Sequence, residues 1–139
     1  MNLIPRQHKY KKQQKGRFCN KVNQVFELNN LKFGSFGLKS IDFGRLNSKQ
    51  IESMYQSINK LIKKNGRIIL KIFPHIPISK KPIEVRMGKG KGNVDHWVAK
   101  IKFGTLLCEI ETSFTALALK ALRLAQMRLP IKTKIYYQK

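Results

Sequence analysis

Residues 96–137 read HWVAKIKFGTLLCEIETSFTALALKALRLAQMRLPIKTKIYY, and the hydrophobic period changes twice along them. In HWVAKIKF (96–103), Trp97, Ala99, Ile101 and Phe103 fall on one face, and His96, Val98, Lys100 and Lys102 on the other, the alternation of a strand. Gly104 interrupts it, and LLCEIE (106–111) is expected to pair back as the next strand of a meander. The period then lengthens. Leu117, Ala118, Ala121, Leu124 and Ala125 share one stripe of a helix, with Thr112, Ser113 or Thr115 available as caps and Pro130 stopping it at Leu129. The alternation returns in IKTKIYY (131–137), with Ile131, Thr133 and Ile135 opposed to Lys132, Lys134 and Tyr136. Strand, strand, helix, strand is the signature of helices laid on an antiparallel sheet.

The upstream half fits the same plan. LKFGSFGLKSIDFGRL (31–46) reads as a bent, extended segment punctuated by glycine. A helix follows. Asn47 and Gln50 have capping-box spacing, and Ile51, Met54, Tyr55, Ile58, Leu61 and Ile62 form its apolar stripe. Lys63 and Lys64 suit the negative end of its dipole, and Gly66 is expected to terminate it. RIILKIF (67–73) predicts a strand with Ile68, Leu70 and Ile72 inward. The prolines of PHIPISKKP (74–82) predict irregular chain. IEVRM (83–87) predicts a strand burying Ile83, Val85 and Met87. The resulting fold class is α+β, two helices packed on a mostly antiparallel sheet. A basic arm over residues 1–25 precedes one domain over 26–139, with no internal repeat.

Charge is the dominant compositional fact. The 139 residues hold 29 Lys and Arg against 7 Asp and Glu, a net +22. Such a surface repels itself and calls for a polyanionic partner, and neutralising phosphates releases condensed counterions. A membrane partner is not expected, since no run approaches the roughly 18 apolar residues of a spanning helix and no basic amphipathic face is evident. The arm carries Arg6, Lys9, Lys11, Lys12, Lys15, Arg17 and Lys21 before the first acid, Glu27. It lacks an apolar signal core and is read as part of the mature protein. Cys19 and Cys108 have no CxxC spacing and are read as reduced thiols. His8, His75 and His96 are far apart, so no metal or other cofactor is expected. Met54 and Met127 read as core fillers or surface accidents, and Trp97 as core. The chain has 22 Lys to 7 Arg and 15 Ile to 5 Ala. That is the bias of an A/T-rich genome and points to an organelle-encoded mitochondrial protein, the alternatives being bacterial cytoplasm or plastid.

The remaining stretch, VRMGKGKGNVDHW (85–97), concentrates glycine and lysine. A Walker loop needs a hydroxyl residue after its lysine, and here Gly92 follows Lys91. The dinucleotide fingerprint needs G-x-G-x-x-G between a strand and a helix, whereas Gly88, Gly90 and Gly92 are spaced G-x-G-x-G and a strand follows. A nucleotide-binding enzyme or other small-molecule substrate is therefore disfavoured. A hairpin tip fits better. Glycine lets backbone N–H groups approach a ligand, lysines add charge without a fixed geometry, and Arg86 is suited to bidentate phosphate contact or base stacking. The candidate RNA-binding set is Arg6, Lys9, Lys11, Lys12, Lys15 and Arg17 of the arm together with Lys39, Arg45, Lys80, Lys81, Arg86, Met87, Gly88, Lys89, Gly90, Lys91, Gly92, Asn93, Lys132 and Lys134.

RMGKGKGNVDHW (86–97), FGSFGLKS (33–40), GRLNSKQIE (44–52) and RLPIKTK (128–134) together resemble, in order, the bacterial and organellar type of large-subunit ribosomal protein L-sixteen. The resemblance spans essentially the whole chain. It implies a non-catalytic constituent of the large ribosomal subunit with a hammerhead-type α+β sandwich. Its implied partners are large-subunit rRNA, A-site tRNA and neighbouring large-subunit proteins. The arm would thread between rRNA helices, and the hairpin bearing Arg86 to Asn93 would reach toward the peptidyl-transferase centre and the tRNA. A free RNA chaperone is the alternative. Two stretches depart from the family pattern. Residues 19–32 are longer and less basic than its usual arm. ETSFTAL (111–117) lacks the Gly-Val-Pro-Glu-Glu style of helix entry.

Overall fold

The computed structural model describes residues 3–6, 9–16 and 31–137. The expectations for His8, Arg17, Cys19 and Lys21 lie outside the described residues. The elements are, in chain order, β1 (Phe36–Ser40), β2 (Gly44–Asn47), α1 (Ser48–Ile62), β3 (Arg67–Leu70), β4 (Ile76–Lys80), β5 (Asn93–Ile101), β6 (Leu106–Glu111), α2 (Thr115–Gln126) and β7 (Thr133–Tyr137). They form an α+β fold with two sheets rather than one: β3-β6-β1-β7 and β2-β5-β4. Every pairing is antiparallel.

The helices begin as local chemistry directs. Gln50 reaches back so that its Oε1 accepts from the Asn47 N–H at 2.9 Å, the return half of a capping box. Ile51, Met54, Ile58 and Ile62 are fully buried along α1, and Ala118, Ala121, Leu122 and Ala125 along α2. The alanines let the helices approach closely, and α1 packs on α2 while also touching β3 of one sheet and β2 and β5 of the other. One core results. Phe36, Leu38, Cys108 and Ile110 enter it from the four-stranded sheet, and Leu46, Ala99 and Ile101 from the three-stranded one.

Several expectations are corrected. LLCEIE does not pair with the strand before it. It crosses to the other sheet, where Cys108 stands opposite Leu38 and Leu70, because both edges of β5 are already taken by β2 and β4. Residues 76–80 form a strand despite Pro77, which is tolerated because β4 is an edge strand. Residues 83–87 are not a strand. Ile83 is 97% exposed and Met87 100%, because they lie in the loop that joins β4 to β5 outside either sheet. The strand over 67–73 ends at Leu70, although Lys71 N–H still donates to Leu107 O at 3.0 Å and Ile72 remains buried.

Smaller corrections concern ends and faces. Lys63, at φ 47°, takes the left-handed turn after α1 that was expected of Gly66. Phe114 takes the N-cap position of α2, with Thr112 Oγ1 accepting from its N–H at 3.3 Å, and the helix ends at Gln126. Leu122 is the buried leucine of that helix and Leu124 is exposed. Val98, assigned to the polar face of its strand, is buried between Asn47 and Ile76, its register partners, whereas Phe103 lies beyond β5 and is exposed. Trp97 is half-buried, with Pro77 opposite. Met127 is exposed, and Met54 is core. The closing strand keeps the predicted alternation, with Thr133 and Ile135 half-buried and Lys134 and Tyr136 exposed.

Candidate nucleic-acid interface

The glycine–lysine stretch is the tip of a β4–β5 hairpin, closed where Lys80 pairs with Asn93. Residues 82–91 are all exposed, among them Arg86, Met87, Lys89 and Lys91. Gly88 (φ 98°), Lys89 (φ 52°) and Gly90 (φ 85°) are consecutive left-handed residues. A Cβ at Gly88 or Gly90 would find nothing within 4 Å, so these glycines serve the backbone turn and leave its surface bare. Gly92 has a different purpose. A Cβ there would lie 2.5 Å from Lys80 O, so it permits the close approach that shuts the hairpin. Lys81 Nζ donates to Gly88 O and ties the loop to its own base.

The arm lies against this loop. Lys12 Nζ donates to Lys91 O at 2.8 Å, and Lys91 Nζ returns a bond to Gln13 O. From β2, Arg45 Nη2 donates to Lys15 O at 2.7 Å and Gly16 O at 2.8 Å. Lys12, Lys15, Arg45 and Lys91 were predicted from three separate stretches and the structure brings them together. Arg6, Lys9 and Lys11 are exposed farther along the arm, with Lys9 Nζ 5.6 Å from the Tyr10 ring centroid.

Lys39 and Lys134 form a separate group. They face each other across the β1–β7 pair, a like-charge pairing that is unfavourable until a counter-charge arrives. Lys39 Nζ also stands 5.8 Å from the Tyr136 ring centroid. Lys132, just before β7, is exposed, and its carbonyl accepts from Ile41 N–H at 2.9 Å. Lys80 has acidic company. Asp95 accepts a 2.8 Å hydrogen bond from His96 Nδ1. That bond outweighs desolvation and, with smaller help from the His96, Lys80 and Lys49 charges, holds the Asp95 pKa below its usual value. His96 therefore serves an acid on its own strand.

Sequence reasoning missed one polar centre. Glu109, fully buried on β6, accepts backbone N–H bonds from Phe33 at 2.9 Å, Gly34 at 3.1 Å and Lys32 at 3.3 Å. It also pairs with Lys71 Nζ at 3.0 Å. Burial pushes its pKa up, but the bonds from Phe33, Lys71, Lys32 and Gly34 outweigh that and hold it below the usual carboxylate value. This clasp fixes residues 32–34, just before β1, against β6. Strand alternation puts Glu109 on the face away from Cys108 and Ile110, but nothing local shows that residues 32–34 cover that face. At Cys108 burial, with a smaller push from the Glu109 charge, outweighs one backbone hydrogen bond from Leu38 and raises the pKa to about 12.

Among the described residues no three His, Cys, Asp or Glu side chains gather as metal ligands, and no helix is long and apolar enough to cross a membrane. Fold and surface together define a small, strongly basic α+β protein whose cations are displayed on a loop, an arm and strand ends. Residues 5–136 match the profile of the family described as Ribosomal protein L16p/L10e. Proteins named large ribosomal subunit protein uL16 are similar along nearly their whole length. That of Dichelobacter nodosus is 44% identical over 137 residues, covering 99% of this chain and 98% of the relative. That of Wigglesworthia glossinidia brevipalpis is 48% identical over 132 residues, covering 94% and 93%. That of Cereibacter sphaeroides is 44% identical over 133 residues, covering 96% and 95%. The chain belongs to this family of structural ribosomal proteins, which are not enzymes.

Proposed function

We propose that the protein is a constituent of the large ribosomal subunit that binds large-subunit rRNA near the A-site and supports tRNA positioning by the peptidyl-transferase centre. The observation that carries this reading is the exposed loop of residues 82–91, with Arg86, Lys89 and Lys91 on a backbone left bare at Gly88 and Gly90. Lysine and arginine supply salt-sensitive affinity, and the bare turn admits close contact with folded RNA. The arm, residues 1–25, binds the same RNA, and Lys39, Lys132 and Lys134 form a further contact on the domain of residues 26–139. The catalysed chemistry belongs to the RNA, and the protein contributes geometry.

The compartment is a mitochondrial ribosome, supported by the excess of 22 Lys over 7 Arg and 15 Ile over 5 Ala. The similar proteins quoted above are bacterial, and locating the gene distinguishes the two settings. The function is tested by sedimentation and by binding to large-subunit rRNA across a salt series. Co-sedimentation with large subunits is expected, and each phosphate contact steepens the log–log salt slope by about 0.7–0.9. A salt-insensitive affinity, or absence from purified large subunits, refutes the reading.

A further inference from the structure

The arm and the glycine loop are held together by an unusual set of donors and acceptors. Both segments are cationic and should repel. They nevertheless meet through reciprocal bonds in which each side's ammonium group finds a carbonyl on the other: Lys12 Nζ to Lys91 O, and Lys91 Nζ to Gln13 O. Arg45 does the same from β2, placing one nitrogen on two successive arm carbonyls, those of Lys15 and Gly16. Three cations thus converge on neutral oxygen atoms at an exposed surface. An ammonium has three donors, so Lys12 and Lys91 are not exhausted by these bonds. These cation-to-carbonyl bonds are already charge-assisted, and an anionic oxygen adds the attraction between opposite charges to the same hydrogen bond. A phosphate oxygen is therefore the better acceptor for each of these groups.

We propose that residues 11–16, Arg45 and the loop around Lys91 form one composite seat for an RNA phosphodiester, closed in the free protein by its own carbonyls standing in for phosphate oxygens. RNA entry exchanges carbonyl for phosphate at Lys12, Lys91 and Arg45, and the arm is released to follow the bound strand. This rests on the RNA-binding reading given above and specifies its ligand group and its closed state. It also explains how an acid-free arm can lie against the fold before any RNA is present.

The test uses the full-length protein and two readouts. Without RNA, trypsin cleavage after Lys11 and Lys15 is followed by mass spectrometry in the unsubstituted chain and in Lys91→Met and Arg45→Met. Both positions are outside the core, and circular dichroism verifies the fold. Loss of one such bond is expected to speed arm cleavage about fivefold. With a 20-nucleotide oligouridylate as the probe, affinity is measured for Lys12→Met, Lys91→Met and the double variant. A shared seat predicts that the double variant loses clearly less than the product of the single losses, because both cations act on the same phosphates. Unchanged cleavage in both single variants overturns the closed state. Faster cleavage with strictly multiplicative affinity losses overturns the shared seat. If the unsubstituted protein binds no oligouridylate, the RNA-binding reading itself fails, a result distinct from binding without coupling.

Discussion

Replacing Glu109 by Gln removes one charge and barely changes side-chain volume, so its effect isolates the clasp on residues 32–34. Oε2 accepts from Phe33 and Gly34, and Oε1 accepts from Lys32 and Lys71. A glutamine carbonyl placed at Oε2 keeps the first two bonds, now neutral, and turns its NH2 toward two donors. Bonds to a charged group contribute about 1.5–3 kcal/mol and neutral ones about 0.5–1.5 kcal/mol. Two bonds are downgraded and two are lost, of which Lys32 at 3.3 Å is long and Lys71 is partly solvated. Allowing for water at the exposed Lys32, Phe33 and Lys71 side, Glu109→Gln should cost about 3 kcal/mol. That is roughly a 10 °C fall in Tm for a chain of this size. Urea unfolding supplies the free energy, and hydrogen exchange at the Phe33 and Gly34 amides shows where it is lost.

The pH dependence has a definite sign. Glu109 titrates below its usual value of 4.5 when folded, so its contribution is complete above that value and disappears as pH falls through the folded pKa. Glu109→Gln should flatten that acid limb. A variant within about 0.5 kcal/mol of the unsubstituted protein, the ordinary range of a neutral surface change, with unaltered exchange at Gly34, would refute the reasoning.

Three other outcomes are expected. Gly92→Ala drives a Cβ to 2.5 Å from Lys80 O and should destabilise by about 1–3 kcal/mol, whereas Gly90→Ala meets open space and should cost about 1–2 kcal/mol in left-handed strain, read by thermal unfolding. Arg86→Ala removes an exposed cation and should weaken rRNA binding and slow translation while leaving Tm within about 2 °C; a large fall in Tm would make the residue structural. Cys108, buried with a pKa of about 12, should resist thiol reagents at neutral pH until the chain unfolds, with peptide mapping separating it from Cys19.

Local chemistry carried the helices and the terminal strands. The Asn47–Gln50 box, the stripe from Ile51 to Ile62 and the alternation from Ile131 to Tyr136 each act within a few residues, and each appears in the structure as read. Non-local pairing was less legible. LLCEIE alternates as well beside β5 as beside β1, and only the occupancy of β5 by β2 and β4 excludes the first arrangement. The prolines of residues 74–82 argue against a strand unless it lies at an edge, which one segment cannot announce. Ile83, Val85 and Met87 alternate like a buried strand and are nonetheless exposed, because alternation marks a face without supplying a partner. In the candidate interface, charge and glycine were readable from composition. The meeting of Lys12 with Lys91, 79 positions apart, was not.

The chain changes sheets twice near Ser40, once between β1 and β2 and once between β5 and β6. The two crossings are stitched there by Ser40 N–H to Thr105 O and Gly104 N–H to Ser40 O, both 2.9 Å. The hairpin that carries the cationic tip is thereby welded to the layer that carries β7 and the Glu109 clasp. We expect a displacement of the hairpin to be passed through these bonds to the four-stranded sheet instead of being absorbed at a hinge. We also expect the stitch to couple the two sheets in folding, so that excising the hairpin destabilises both.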